Sequence, residues 1–402
     1  MRFHEGIGAG TLWSLAEEFG TPLIVYDVGT IRSRYARMKR AFGKADVHYA
    51  CKANPSPPIL SVLRGLGAGI DASTVNEAKL SLSLGFTRDR VMATPSYASR
   101  EDLIWFLENG IAVNFDCFEQ YKKVMDMGPE RVSFRINPGF GSGQFRAITT
   151  GGHGSKFGMP LGDAIRAYST AREHGACSFG LHMMLGSNNL DPEFFGAVAE
   201  AAARAALEVS ARCSIAFDYI DIGGGFGVPY AEGQEPLDLE RAARLANEAI
   251  LSAGIPGSPG LVIEPGRYLV AEAGLLIATV TEVKVADRVY VGTDVSMNTL
   301  IRIPLYGASH PILFLYRSER DEGEFDVVGQ ACENTDFTAR GLRMPVPSPG
   351  DLMVVGNCGA YVSSMASSYN LLPTPAEVML DGSPRLVRRR PSLEDMVALY
   401  LQ

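Results

Sequence analysis

The sequence predicts an α/β protein: eight parallel strand–helix units closed into a barrel, followed by a smaller, mostly antiparallel β domain. Three observations carry that expectation. Short apolar runs recur at near-even spacing, helix-like segments separate them, and the alternation stops after about residue 275. The first five runs are "VHYACK" (47), "GIDAST" (69), "VMATPS" (91), "AVNFDC" (112) and "RVSFRINP" (131), with starts 22, 22, 21 and 19 residues apart. Between them, "PPILSVLRGLG" and "REDLIWFLENG" read as helices closed by glycine, which accepts the left-handed backbone of a helix stop. "SFGLHMML" (178), "YIDIGGG" (219) and "GLVIEPG" (260) follow at wider spacing. Strands alternating with helices pair in parallel, because a parallel connection needs a long crossover. Eight such units make a (β/α)8 TIM barrel.

Beyond the barrel, "LLIATVTEVKVADRVYVGTD", "ILFLYRS", "FDVVGQAC" and "DLMVVGN" are strand-like runs with no good helix between them, expected to pair mostly antiparallel. The opening "TPLIVYD" (21–27) is a further strand, either added to the barrel or completing the second domain. The domains expected are therefore 28–275 for the barrel, and 1–27 with 276–402 for the β-rich domain. "SLEDMVALYLQ" closes the chain as a short helix.

Composition bounds the function. The 402 residues are 46% hydrophobic and 20% charged, which suits a well-packed globule rather than a disordered chain. Net charge is −8, which disfavours nucleic acid as a partner but permits a locally basic pocket for a small anion. The one basic cluster, "RLVRRR" (385–390), reads as a solvated or internally salt-bridged segment. Six cysteines (51, 117, 177, 213, 332 and 358) lack paired or zinc-type spacing, so free thiols in a reducing cytoplasm and no metal are expected. No stretch reaches the ~18 apolar residues of a membrane span, and the first residues do not read as a signal peptide. The alanine-rich segment 194–213 is interrupted by Glu200, Arg204 and Glu208 and reads as an amphipathic helix.

Barrels of this kind place chemistry at the C-terminal ends of their strands. There strand 1 carries Lys52, strand 6 runs into Ser187, strand 7 into Gly223–Gly227, and strand 8 into Glu264 and Arg267. Each alone has a plainer explanation: a solvated lysine, a helix-capping serine, a tight glycine loop, a surface salt bridge. Together they offer an amine, a glycine nest for an anion, a guanidinium to neutralise it and one buried carboxylate. Pyridoxal 5'-phosphate needs that set: an amine for its aldehyde, donors for its phosphate, and an acid at its ring nitrogen.

At this point the residues resemble a known family. "YACKANP", "LHMMLGSNN", "DIGGGFG", "EPGRYLV", "VGQACENTD" and "GAYVSSMASSYN" are similar, in order along nearly the whole chain, to the barrel-type pyridoxal-phosphate decarboxylases of diaminopimelate, ornithine and arginine. The resemblance implies a homodimeric enzyme with shared sites. It makes Lys52 the Schiff-base lysine. Ser187, Gly225, Arg267 and Tyr361 become phosphate-holding positions, and Glu264 the partner of the ring nitrogen. Asp71 and Glu77 match acidic positions that support the lysine. Cys332 matches a cysteine supplied by the partner subunit to protonate the carbanion. Three features resemble diaminopimelate decarboxylase in particular: "MNTLIRIPLYGASHPI", "CENTD" and "GGHGSKFG". They make Arg302 and Tyr306 holders of the substrate's far carboxylate and Glu333 the contact for its far amine; a fork of guanidinium donors suits the first role.

Departures from the family leave the exact amino acid open, including a carrier-bound or specialised-metabolite substrate. Met184 stands where the family usually stacks a histidine on the ring; a thioether packs on an aromatic face but is expected to offer no hydrogen bond. His182, two residues earlier on the same face, either substitutes in part or is a satisfied core histidine. An amino-acid racemase and a non-catalytic homologue that binds a protein are the competing expectations. Glu264 argues against the first, since such racemases place arginine at the ring nitrogen. The joint presence of Lys52, Glu264, Arg267 and Cys332 argues against the second.

Overall fold

The computed structural model describes residues 7–143, 150–152, 154–398 and 400. Its contacts divide the chain into two compact units: Arg32–Val228 with Glu235–Tyr268, and Met1–Ile31 with Pro229–Gln234 and Leu269–Gln402.

All eight expected strands form in the first unit. They are Asp46–Ala50, Gly69–Ala72, Val91–Ala93, Ala112–Phe115, Arg131–Arg135, Ser178–His182, Tyr219–Asp221 and Gly260–Ile263. Each pairs in parallel with its sequence neighbours and the eighth returns to the first, closing the barrel. Alternation along a strand sorts the side chains. In the fifth strand, Phe134 meets Tyr168 of the helix Leu161–Glu173 edge-on, with ring centroids 4.8 Å apart, while its neighbours Ser133 and Arg135 are buried polar residues. The expected glycine stops are present: Gly67 and Gly110 take φ of +90° and +68° just after the helices Pro57–Gly65 and Arg100–Glu108. The alanine-rich segment forms one 22-residue helix, Pro192–Cys213, capped by Asp191. Small side chains along it give a flat face that lies close to the next helix, Leu239–Ser252.

The second unit is built on a nine-stranded sheet in which six of eight strand pairings are antiparallel. Leu23–Asp27 settles the two readings of "TPLIVYD". It is not a barrel strand but lies between Gly274–Val285, antiparallel, and Ala376–Asp381, parallel. Its alternate residues Leu23 and Val25 join Leu275, Ile277, Leu352, Val354 and Val378 in this unit's core. Three strands of this unit escaped the sequence: Phe337–Pro345, Ala376–Asp381 and Ser383–Arg388. Phe337–Pro345 is a half-exposed strand with Gly341 at φ +62°, and its pattern lacks a continuous apolar face. Ser383–Arg388 is mostly exposed and reads as a charge run, yet it pairs antiparallel with Ala376–Asp381. Three arginines of the basic cluster are spent internally: Arg388 meets Glu377 at 2.8 Å, Arg389 meets Asp395, and Arg390 donates to the Pro22 carbonyl at 2.9 Å. All six cysteines are unpaired. Among the described residues no helix is long and apolar enough to cross a membrane.

Candidate active site

Lys52 sits in a single 3-10 turn, Cys51–Ala53, directly after the first barrel strand. The turn stops the strand and sends its side chain off the C-terminal end of the barrel. The ammonium lies 2.8 Å from Asp71 Oδ2 at the end of the second strand, and 46% of the lysine side chain stays exposed. Asp71 is wholly buried, and its Oδ1 has no partner among the described residues. The pairing therefore holds the amine in place while leaving it accessible. Glu77, in the helix Val75–Ser83, accepts from the Ser73 N–H at 2.6 Å; burial raises its carboxyl above the ordinary value.

Glu264 follows the eighth strand and is buried. Its Oε2 lies 3.3 Å from His182 Nε2, and Thr94 Oγ1 donates to Oε1 at 3.4 Å. Asn114 in turn donates to Thr94 Oγ1 at 3.0 Å. Asp221 ends the seventh strand, opposite His182 in the register, so the two carboxyls and the imidazole converge. Burial would raise the Glu264 carboxyl, but His182, Lys52 and Asp221 together hold it below the ordinary range. Asp221 moves the other way, pushed up by burial and then by the Glu264 charge.

The glycine run after the seventh strand is shaped by close approach. Gly223 and Gly225 take φ of +70° and +90°. A Cβ at Gly224 would lie 2.3 Å from the Glu264 carbonyl oxygen, and one at Gly225 would lie 2.7 Å from that of Gly186. Only glycine fits, and the loop passes beside Gly186–Ser187, which puts Ser187 next to it. Arg267 opens the short helix Arg267–Val270 and is 6% exposed. The expectation for Met184 needs correction. Its sulfur does take a hydrogen bond, from the Gly224 N–H at 3.2 Å, because a thioether is a weak acceptor. His182 is fully buried, with Nε2 3.3 Å from Glu264 and Nδ1 without a hydrogen-bond partner among the described residues, so it is not the fully satisfied core histidine of the plainer alternative.

The remaining expected residues belong to the second unit. Arg302 and Tyr306 begin and end the short helix Arg302–Tyr306, one turn apart on one face. Arg302 is 2% exposed. It donates from Nη1 to His310 Nε2 at 3.1 Å, and its guanidinium carbon lies 4.8 Å from the centroid of the Tyr230 ring. His310 Nδ1 donates to the Gly356 carbonyl at 2.9 Å, which fixes the tautomer that leaves Nε2 as acceptor. Cys332 and Glu333 are exposed on a loop tied together by the buried Asp336, which accepts from the Met297 and Ala331 N–H groups at 2.7 and 2.8 Å. The Cys332 N–H donates to Asn370 Oδ1 at 2.8 Å. Tyr361 is half-buried with φ +59°, a left-handed backbone rare outside glycine.

Sequence reasoning missed Thr94 and Asn114 beside Glu264, and also Asp221, Tyr230 and His310. Asp221 was findable by the strand-end rule that picked out Glu264. Tyr230 and His310 carried no signal, since what matters is the company they keep around Arg302.

Comparison with known proteins agrees with this chemistry. Residues 28–271 match the family model for the pyridoxal-dependent decarboxylase, pyridoxal binding domain. The diaminopimelate decarboxylase of Thermoplasma acidophilum is 40% identical, over 96% of this chain and 94% of its own. That of Methanothermobacter thermautotrophicus is 37% identical, over 98% and 95%. The crystal structure of diaminopimelate decarboxylase from Helicobacter pylori complexed with L-lysine superposes with a TM-score of 0.91 at 31% identity, covering 97% of this chain and 99% of that one. The chain therefore belongs to the pyridoxal-dependent decarboxylases, and pyridoxal phosphate is its cofactor. The residues present fit that group: an accessible amine at Lys52, a cradle at 223–225 that a Cβ would fill, and a buried carboxyl held ionised at Glu264.

Proposed function

We propose that this decarboxylase acts on meso-diaminopimelate, removing one Cα carboxylate as CO2 and leaving lysine, as a homodimer with shared sites. The full-length similarity to enzymes named diaminopimelate decarboxylase carries this reading, and the buried arginine at 302 supports it. Diaminopimelate has an amino-acid group at each end, so a selective enzyme needs a fixed cation and an anion for the end that does not react.

When bound, pyridoxal phosphate supplies an electron sink for the pair left at Cα as CO2 departs. The chain's own residues do the rest. Lys52 supplies the amine that links the cofactor, and Asp71 holds that amine in position and keeps its counter-charge. The N–H groups of the 223–225 loop, Ser187, Arg267 and Tyr361 would hold the phosphate, its charge neutralised by the guanidinium. Glu264, kept anionic by His182, would hold a proton on the ring nitrogen. Arg302 and Tyr306 would take the distal carboxylate and Glu333 the distal ammonium. Cys332 of the partner subunit would return a proton to Cα.

The test is CO2 release from a panel of diamino, dicarboxylic and basic amino acids, with wild type, Arg302→Ala and Glu333→Ala. Turnover of meso-diaminopimelate, with KM raised roughly ten- to 100-fold in Arg302→Ala, is the expected result; losing a charge-assisted hydrogen bond of about 1.5–3 kcal/mol gives that range. If meso-diaminopimelate is inert while another amino acid releases CO2, the substrate assignment falls and the decarboxylase remains.

A further inference from the structure

Three buried groups meet at the C-terminal ends of adjacent strands: His182 on the sixth, Asp221 on the seventh and Glu264 after the eighth. One ligand atom of each lies within 4.8 Å of the other two. His182 and Asp221 have no exposed surface and Glu264 is 5% exposed. Two carboxylates this close in a dry interior repel each other strongly.

The hydrogen bonds differ between the two acids. Glu264 is surrounded by donors, His182 Nε2 at 3.3 Å and Thr94 Oγ1 at 3.4 Å. Asp221 Oδ1 accepts from the Gly223 N–H at 2.8 Å. Asp221 Oδ2 is buried and has no donor among the described residues. A carboxylate oxygen cut off from both water and donors is costly, whereas a protonated one becomes a donor itself. The other charged or titratable groups around Asp221 do not change this. Arg135 lies 3.8 Å from Asp116 and donates to the Met184 carbonyl at 3.1 Å. Asp71 adds negative charge, and Tyr219 is a neutral phenol on Asp221's own strand.

We propose that Asp221 is a positioning residue held as a neutral carboxylic acid, whose Oδ2–H donates to the Glu264 carboxylate. The pair thus carries one proton and one negative charge, and the charge stays on Glu264. A donor on Glu264 lowers its appetite for a proton, so the proton it faces stays on the cofactor's ring nitrogen. This rests on Glu264 being the acid at that nitrogen, as proposed above.

Two measurements test it. The first uses cofactor-free protein and depends on no catalytic reading: infrared difference spectra of wild type against Asp221→Asn at neutral pH. The carbonyl stretch of a protonated carboxylic acid is expected in wild type and lost in the variant. The second uses holoenzyme reconstituted with ring-15N pyridoxal phosphate. Wild type and Asp221→Asn, whose amide still donates, are expected to keep the pyridinium nitrogen shift, while Asp221→Ala moves it toward neutral pyridine. A rescue confined to asparagine is not what a merely structural role produces. No acid carbonyl band in wild type overturns the proposal. So does a ring nitrogen that moves in Asp221→Asn as far as in Asp221→Ala. A protein that takes up no pyridoxal phosphate would defeat the placement of Glu264, and the infrared band would still decide the state of Asp221.

Discussion

Replacing His310 with leucine should loosen Arg302 and raise KM far more than it lowers kcat. His310 spends both ring nitrogens: Nδ1 on the Gly356 carbonyl at 2.9 Å, and Nε2 on the Arg302 guanidinium at 3.1 Å. Leucine of similar bulk leaves both partners without that bond in a site where Arg302 is 2% exposed. The lost bond to the Gly356 carbonyl, which still accepts from Cys358 Sγ at 3.4 Å, costs about 0.5–1.5 kcal/mol, and the lost bond to the charged guanidinium about 1.5–3 kcal/mol. The edge-on contact between Tyr230 and His310, with ring centroids 5.1 Å apart, adds roughly 0.5–1.5 kcal/mol. The Arg302–Tyr230 contact remains and absorbs part of the loss. A stability decrease of about 3 kcal/mol follows, read as a lower urea midpoint at unchanged slope. An arginine held less firmly also binds a carboxylate less well in ground and transition states alike, so KM rises roughly tenfold with kcat little changed. The assay is steady-state CO2 release with a substrate that has a distal carboxylate, beside one that lacks it. The reasoning fails if the variant melts within about 1 kcal/mol of wild type and KM stays put. It also fails if both substrates lose equally, since Arg302 would then not read the distal carboxylate.

Four further outcomes are expected. Lys52→Ala should lose the long-wavelength absorbance of lysine-bound pyridoxal phosphate and all turnover; a yellow, active variant would remove this lysine from the chemistry. Cys332→Ala should reduce kcat by about 100-fold or more, the scale of a lost general acid, with KM nearly unchanged, and mixing it with Lys52→Ala should restore activity if the two come from different subunits. Gly225→Ala should cost about 1–3 kcal/mol and release cofactor, because its φ is +90° and the new methyl would meet the Gly186 carbonyl oxygen at 2.7 Å; equilibrium dialysis and a urea melt measure both. Asp221→Asn should raise stability at neutral pH. Burial lifts the folded Asp221 carboxyl above its unfolded value, so between those two values the folded state binds more protons and stability falls as pH rises. Asparagine cannot ionise, and a flatter stability profile above the unfolded aspartate value near ~4 is the expected difference.

Much of the site could be read from the chain because strand ends are local features. Lys52, Ser187, Glu264 and Arg267 each follow an apolar run, and the parallel pairing carries all such ends to one rim. What could not be read depends on register and on loops that close between distant residues. Asp221 pairs with His182 on one side and Val262 on the other, and nothing in the spacing of three separate runs shows that their acids and imidazole meet. His310 follows Arg302 by eight residues, past Gly307 in a left-handed turn, and is anchored by a carbonyl 46 residues further on. The second unit hid its edge strands for a related reason. Ser383–Arg388 is almost all exposed, so a paired strand and a solvated basic run share one pattern. Met184 shows the limit of reading by residue type. Its sulfur is apolar by class, yet the glycine loop delivers an N–H to it. A histidine there would meet the same Gly224 N–H with a ring nitrogen or turn away from it, so Met184→His is expected to shift the glycine loop, read as weaker cofactor retention in equilibrium dialysis.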